Sequence, residues 1–254
     1  MEINKSDIYT GLGAAYDRMT GDAARWKTTA EQYRPFLEQW KPNSILDIGC
    51  GTGGEAVALA KLGLKVIGVD ATPQFIDIAR SKAASENQAL EFYIDDMTRL
   101  QNIADDSADL IICRGNTLPH ILTIDDLYTA MRQFYRVAAA EGHIILQWLN
   151  YRPILHSRQR LVGLTGAENE AFLRFYDFNP NEMLTFNILH CIRLEKWRVE
   201  WHSTTLKPWL ADDVGMALRR AGWRDIEIAA DIKRTAFEPD SSKDVTLLAK
   251  KFAN

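Results

Sequence analysis

Residues 45–54, Ile45-Leu46-Asp47-Ile48-Gly49-Cys50-Gly51-Thr52-Gly53-Gly54, decide how this chain is read. An apolar run enters a glycine-rich turn, and a helical stretch, Glu55 to Leu62, follows. The next apolar run, Leu64 to Val69, ends in Asp70. Strand, glycine turn, helix, strand, acid is the order that builds a nucleotide-type cofactor site. Glycine lets the backbone approach a ligand where a Cβ would collide. An acid at the tip of the second strand can accept both hydroxyls of a ribose.

The glycine spacing admits two readings. Gly49, Gly51 and Gly54 fit G-x-G-x-x-G, the dinucleotide fingerprint, which would make the chain an NAD-dependent oxidoreductase. Asp47 argues against it, because a carboxylate beside the turn repels a pyrophosphate and suits a cationic ligand. Residues 1–43 also precede the first strand, whereas dinucleotide domains often begin with it. Asp47, Gly49, Gly51 and Gly53 match D-x-G-x-G-x-G at every fixed position. In this the chain resembles the class I S-adenosylmethionine-dependent methyltransferases.

Outward from this motif, strand and helix alternate. The segment Asp7 to Trp40 reads as helical, with Tyr33, Phe36, Leu37 and Trp40 at helical spacing. Pro73 to Ala84 is a helix after Thr72, Leu90 to Ile94 and Ala108 to Cys113 are strands, Ile124 to Val137 is a helix and Gly142 to Leu149 a strand. This alternation predicts a parallel sheet covered on both faces. The rhythm then changes. Phe172 to Phe178, Met183 to Leu194 and Trp197 to Leu206 read as consecutive antiparallel strands, followed by a helix from Leu210 to Ala221, with Gly222 as its C-cap, and two last strands. The expected fold class is α/β. It is a Rossmann-like seven-stranded methyltransferase sheet with helices on both faces and an antiparallel β insertion after the fifth strand. The expected division is an N-terminal helical lid at 1–43, a cofactor core at 44–150, a substrate-side insertion at 151–207 and a C-terminal helix with two strands at 208–254.

The resemblance implies residue roles. Asp47 and the backbone of Gly49, Gly51 and Gly53 would hold the amino-acid end of S-adenosylmethionine. Asp70 would take the ribose, with Ala71 against the adenine. Asp95, Asp96 and Met97 follow the next strand, and Asp96 would bind the adenine amino group. Arg114 opens the run after the fourth strand and is placed with the cofactor.

A closer similarity is to the glycine and glycine/sarcosine N-methyltransferases. Those enzymes carry a C-x-G-N-S-x-x-H-like run, matched here by Cys113, Gly115, Asn116, Thr117 and His120, and an N-Y-x-x-I-L run, matched by Asn150, Tyr151, Ile154 and Leu155. Tyr16 and the segment Arg25-Trp26-Lys27 to Glu31 resemble their cofactor lid, in which Trp26 would attract the sulfonium by a cation–π contact. The implied catalytic candidates are His120 as base, Asn116 as an orienting amide and Tyr151 as a donor. One position departs. The glycine enzymes place a carboxylate-gripping arginine before the Asn-Tyr pair, and here Leu149 stands there. An apolar side chain cannot make that bidentate pair, so a larger or uncharged acceptor is expected.

Composition narrows the remaining choices. The chain has 254 residues, 46% hydrophobic, and a net charge of −4, which suits one α/β domain with an elaboration and argues against a large nucleic-acid footprint. No apolar run approaches the roughly 20 residues of a membrane span. The first residues carry no signal-like apolar region, and Cys50, Cys113 and Cys191 are scattered, as expected of reduced thiols in the cytoplasm. No metal ligand set is read, and His156, His190 and His202 receive no role. The expected partner is a small-molecule acceptor, with homo-oligomerisation left open. A non-catalytic, cofactor-binding scaffold is the other reading.

Overall fold

The computed structural model describes residues 4–21 and 28–253. Its larger sheet has seven strands in the order β11-β12-β6-β5-β2-β3-β4. These are β2 (Ser44–Ile48), β3 (Lys65–Asp70), β4 (Glu91–Ile94), β5 (Ala108–Cys113), β6 (Ala138–Leu149), β11 (Arg224–Ala229) and β12 (Asp244–Lys250). Strands β6, β5, β2, β3 and β4 run parallel, while β12 is antiparallel to β6 and to β11.

The central strands are near-continuous apolar runs because both faces are covered. Alternate residues feed two cores. Leu46, Ile48, Ile111 and Ile144 pack under the helices Ile124–Val137 and Ala211–Ala221. Ile45, Leu110, Ile112 and Ile145 pack under the helices Thr29–Trp40, Gly54–Ala60 and Pro73–Ser85. Trp40 stacks on His143 of β6 with ring centres 4.2 Å apart. Burial, with Lys250 nearby, lowers the His143 pKa to about 4.

The second sheet has five strands in the order β1-β10-β9-β8-β7. They are β1 (Asn4–Asp7), β7 (Leu161–Ala167), β8 (Glu170–Phe178), β9 (Leu184–Arg193) and β10 (Trp197–Leu206). Strands β7 to β10 form an antiparallel meander, and β1 adds to β10 in parallel. Two short helices, α1 (Ile8–Leu12) and α2 (Ala15–Thr20), lay Ile8, Leu12 and Met19 on Phe172 and Ile188 of this sheet.

Three details differ from the sequence reading. Residues 7–40 are not one helical region: β1 precedes two short helices, Gly13 and Gly21 lie at positive φ, and the long helix begins at Thr29. The helix Tyr151–Ser157 and strand β7 were not anticipated. The lid residues Arg25 and Trp26 lie outside the described residues. No helix among the described residues is long and apolar enough to cross a membrane.

Candidate active site

The carboxyl ends of β2, β3, β4 and β5 open on one edge of the sheet. The chain leaves β2 toward β3 on one side and later returns to β5 on the other, which makes this edge a topological switch point. A cavity of about 780 Å³ lies there.

The first wall is the glycine turn. Gly49, Gly51 and Gly53 have φ of 70°, 55° and 76°, a conformation that favours glycine. A Cβ on Gly49 would come within 2.3 Å of the Thr117 side chain, whereas one on Gly51 would enter open space. The turn is clamped from β3. Asp70 Oδ2 accepts from Gly51 N at 2.9 Å and Oδ1 from Thr72 N at 2.8 Å. Burial raises the Asp70 pKa in spite of those donors. Asp47 lines the same cavity and is only 3% exposed. After burial itself, its charge is the next cause pushing the Cys50 and Cys113 thiols upward.

The second wall follows β4. Asp95 Oδ2 accepts from the backbone and side chain of Asn102, and Asp96 Oδ1 from Thr98 N at 2.7 Å. Both acids, with Met97 and Ala71, line the cavity.

The third wall follows β5. Arg114 lines the cavity, but its guanidinium points to a buried partner: Nη1 lies 2.5 Å from Glu55 Oε1, and Nε donates to Gln147 at 2.7 Å. The Tyr33 hydroxyl completes this cluster by donating to Glu55 at 2.6 Å. Burial works against the Arg114 charge, but Tyr33 and Glu55 hold its pKa above the usual value. Asn116, at φ 70°, exchanges hydrogen bonds with the Tyr151 hydroxyl at 2.9 and 3.1 Å. Tyr151 is fully buried and does not line the cavity, so it holds the Asn116 amide from behind.

The roof comes from the N-terminal segment. The Tyr9 hydroxyl lies 2.5 Å from His120 Nε2. Tyr9 and Tyr16 pack on Phe75, at 5.6 and 5.0 Å between ring centres. Asp17 of α2 accepts from Thr52 at 2.5 Å and from Lys82 at 3.0 Å, which ties the roof to the glycine turn.

The structure thus gathers Tyr16, Asp47, Gly49, Gly51, Asp70, Ala71, Asp95, Asp96, Met97, Arg114, Asn116 and His120 around one cavity. Gly53 instead ends the turn beneath the helix Gly54–Ala60, where a Cβ would meet Ala79 at 2.7 Å. Tyr9 and Phe75 were missed. Their signal was faint: Tyr9 and Tyr16 are seven apart, a helical spacing, but a turn at Gly13 separates their helices.

The cavity suits S-adenosylmethionine. It has room for a ligand of that size, Gly51 presents bare backbone to it, and the Asp47 and Asp70 carboxylates line it, a donor set that fits a ligand carrying hydroxyls and a positive charge. Comparison with known proteins points the same way. Residues 45–142 match the methyltransferase domain family. The glycine/sarcosine N-methyltransferase of Aphanothece halophytica is 26% identical over 257 residues, covering 94% of this chain and 90% of that protein. The fold is that of an S-adenosylmethionine-dependent methyltransferase from Clostridium acetobutylicum (TM-score 0.82, 16% identity, 97% and 100% of the two chains). It is also that of the CcbJ methyltransferase of Streptomyces caelestis (TM-score 0.79, 21% identity, 98% and 99%). The dinucleotide reading of the glycines is thereby set aside: residues 45–142 carry a methyltransferase domain, and the whole chain has the fold of the S-adenosylmethionine-dependent methyltransferases.

Proposed function

We propose that the chain methylates a small-molecule amine, and that the Tyr9–His120 pair at 2.5 Å on the cavity wall carries the acceptor side of the reaction. When bound, S-adenosylmethionine supplies a methyl group already activated by its sulfonium. The protein's task is to align an acceptor, exclude water and manage one proton.

Acidic residues dominate the charged lining: Asp47, Glu55, Asp70, Asp95, Asp96 and Asp126. Such a field draws in a cationic cofactor and a protonated amine alike. The amine must lose its proton before it attacks. His120 Nε2 is the final acceptor for that proton, which reaches it through the Tyr9 hydroxyl: the hydroxyl passes its own proton to Nε2 as it takes the amine's. Asn116, fixed by Tyr151, orients the acceptor through its amide. On the cofactor side, Asp70 binds the ribose hydroxyls, Asp96 the adenine edge with Met97 beside it, and Asp47 with Gly49 and Gly51 the amino-acid end. Arg114 acts from behind, as the partner of Glu55. Tyr9, Tyr16, Phe75, Ile121 and Leu122 give the acceptor side an apolar face, which favours a substrate larger than glycine and no nucleic acid.

The test is a methyl-transfer assay with labelled cofactor on a panel of amines with and without carboxylates, and on alcohols and phenols. Turnover with amines that lack a carboxylate is expected. Turnover confined to hydroxyl acceptors would overturn the amine assignment. Tight binding of S-adenosylhomocysteine with no turnover of any acceptor would favour the scaffold reading.

A further inference from the structure

We propose that His190, Glu200 and His202 form a binding site for a divalent ion of the zinc class, in the five-stranded sheet and separate from the methyl-transfer cavity. The strand register creates it. His190 of β9 is paired directly opposite Glu200 of β10, and His202 lies two residues further on, so all three side chains share one face. Their donor atoms lie within 4.8 Å of one another.

The distances favour a shared ion over direct hydrogen bonds. His190 Nδ1 is 3.6 Å and His202 Nε2 3.7 Å from the same oxygen, Glu200 Oε2. Both contacts are too long for hydrogen bonds. Two ligand atoms each about 2.1 Å from one tetrahedral zinc sit about 3.4 Å apart, close to the spacing here. His190 Nδ1 is also buried with no hydrogen-bond partner, a costly state for an imidazole nitrogen unless something is bound there.

The surroundings complete a metal site. Glu170 Oε1 lies 2.8 Å from His190 Nε2, on the far side of the ring. A carboxylate there fixes the tautomer with its proton on Nε2 and leaves the Nδ1 lone pair facing Glu200, the arrangement usual behind a metal-bound histidine. Arg198 takes Glu200 Oε1 at 2.9 Å and leaves Oε2 to the imidazoles. The two histidines are 4% and 2% exposed, and the Glu200 side chain at 28% gives an entry path. Two imidazoles and one carboxylate suit zinc, nickel or copper rather than magnesium or calcium.

Bound there, the ion staples β9 to β10. Through Glu170, which also binds Arg18 of α2 at 2.8 Å, it stiffens the roof of the cavity. Thr204, two residues beyond His202, lines that cavity.

The test is titration of the tag-free, chelator-treated full chain with zinc and with cobalt, followed by calorimetry and by cobalt absorption. One equivalent with a tetrahedral cobalt spectrum is expected. Glu200→Gln and His190→Ala should each weaken binding more than tenfold, and Glu170→Gln by about tenfold, with circular dichroism confirming that each variant is folded. His156→Ala, at an exposed histidine elsewhere, should bind as the wild type does. Absence of stoichiometric binding to the wild type, or binding unchanged in folded Glu200→Gln, would overturn the proposal.

Discussion

The Tyr9 hydroxyl and His120 Nε2 lie 2.5 Å apart although 111 residues separate them in sequence. One belongs to the roof and the other to the loop after β5. Their contact therefore ties closure of the roof to the state of the candidate base. His120→Gln is expected to lower kcat by roughly 100-fold or more, the range for loss of a general base. Tyr9→Phe should lower it about tenfold and move the acidic limb of the kcat profile, since it removes the hydroxyl relay but leaves His120 Nε2 open to take the proton directly. Cofactor affinity, read by calorimetry, should change little in both. A kcat unchanged in His120→Gln would exclude this histidine as the base.

Asp70 carries a conflict between stability and binding. Its pKa is raised by burial, so the folded chain holds that proton more tightly than the unfolded chain does. Stability contributed by this residue therefore falls as pH rises from the ordinary carboxylate range through the raised value. Asp70→Asn removes that penalty. The lost acceptor for Gly51 N or Thr72 N offsets that gain, so at neutral pH its Tm should stay near that of the wild type, while S-adenosylmethionine binding is lost. A large drop in Tm together with retained binding would reverse the assignment.

Two glycines of the turn should fail in different ways. Gly49→Ala places a methyl 2.3 Å from Thr117 at φ 70°, and overpacking of this kind costs about 2 kcal/mol or more. Gly51→Ala meets nothing within 4 Å and bears only the strain of its φ of 55°, about 1 kcal/mol. Thermal melts should show the first variant strongly destabilised. Calorimetry should show the second folded but at least tenfold weaker for the cofactor, because its methyl enters the cavity.

His143 gives a pH signature far from the site. Its pKa falls from 6.5 to about 4 on folding, so the unfolded chain binds more protons between those values. The contribution is fully present above pH 6.5 and is lost as pH drops toward 4. His143→Phe keeps a ring against Trp40 and should flatten the decline of Tm over that window. An unchanged slope would mean that other groups set the acid limit.

The cofactor half was legible because its signals are local. Ala108–Cys113 and Ile124–Val137 stand where the sequence placed them, one an apolar run and the other an amphipathic helix closed by Thr123 and two early acids. The Asp47–Gly53 turn reads directly, since its three positive-φ positions favour glycine and glycine stands at each. The roof was not legible. Asn4-Lys5-Ser6-Asp7 has no strand pattern and becomes β1 only by pairing with β10. Strand β7 contains Gly163 and Gly166, which weaken any strand signal, and Gly166 is required because a Cβ would meet Glu170 O at 2.3 Å. Tyr9 gained its place from that same distant pairing.

The parallel pairing of β1 with β10 also orders events in time. Asn4 meets Glu200, so β1 leaves the ribosome well before β10 and finds its partner only after strands β2 to β9 have been made. Contacts this distant in sequence close late, after the entropy of the intervening loop has been overcome. The cofactor half, whose strands β2 to β6 pair across about 65 residues at most, can organise before then. Newly made chains should thus acquire a cofactor-binding surface first and an enclosed reaction chamber last.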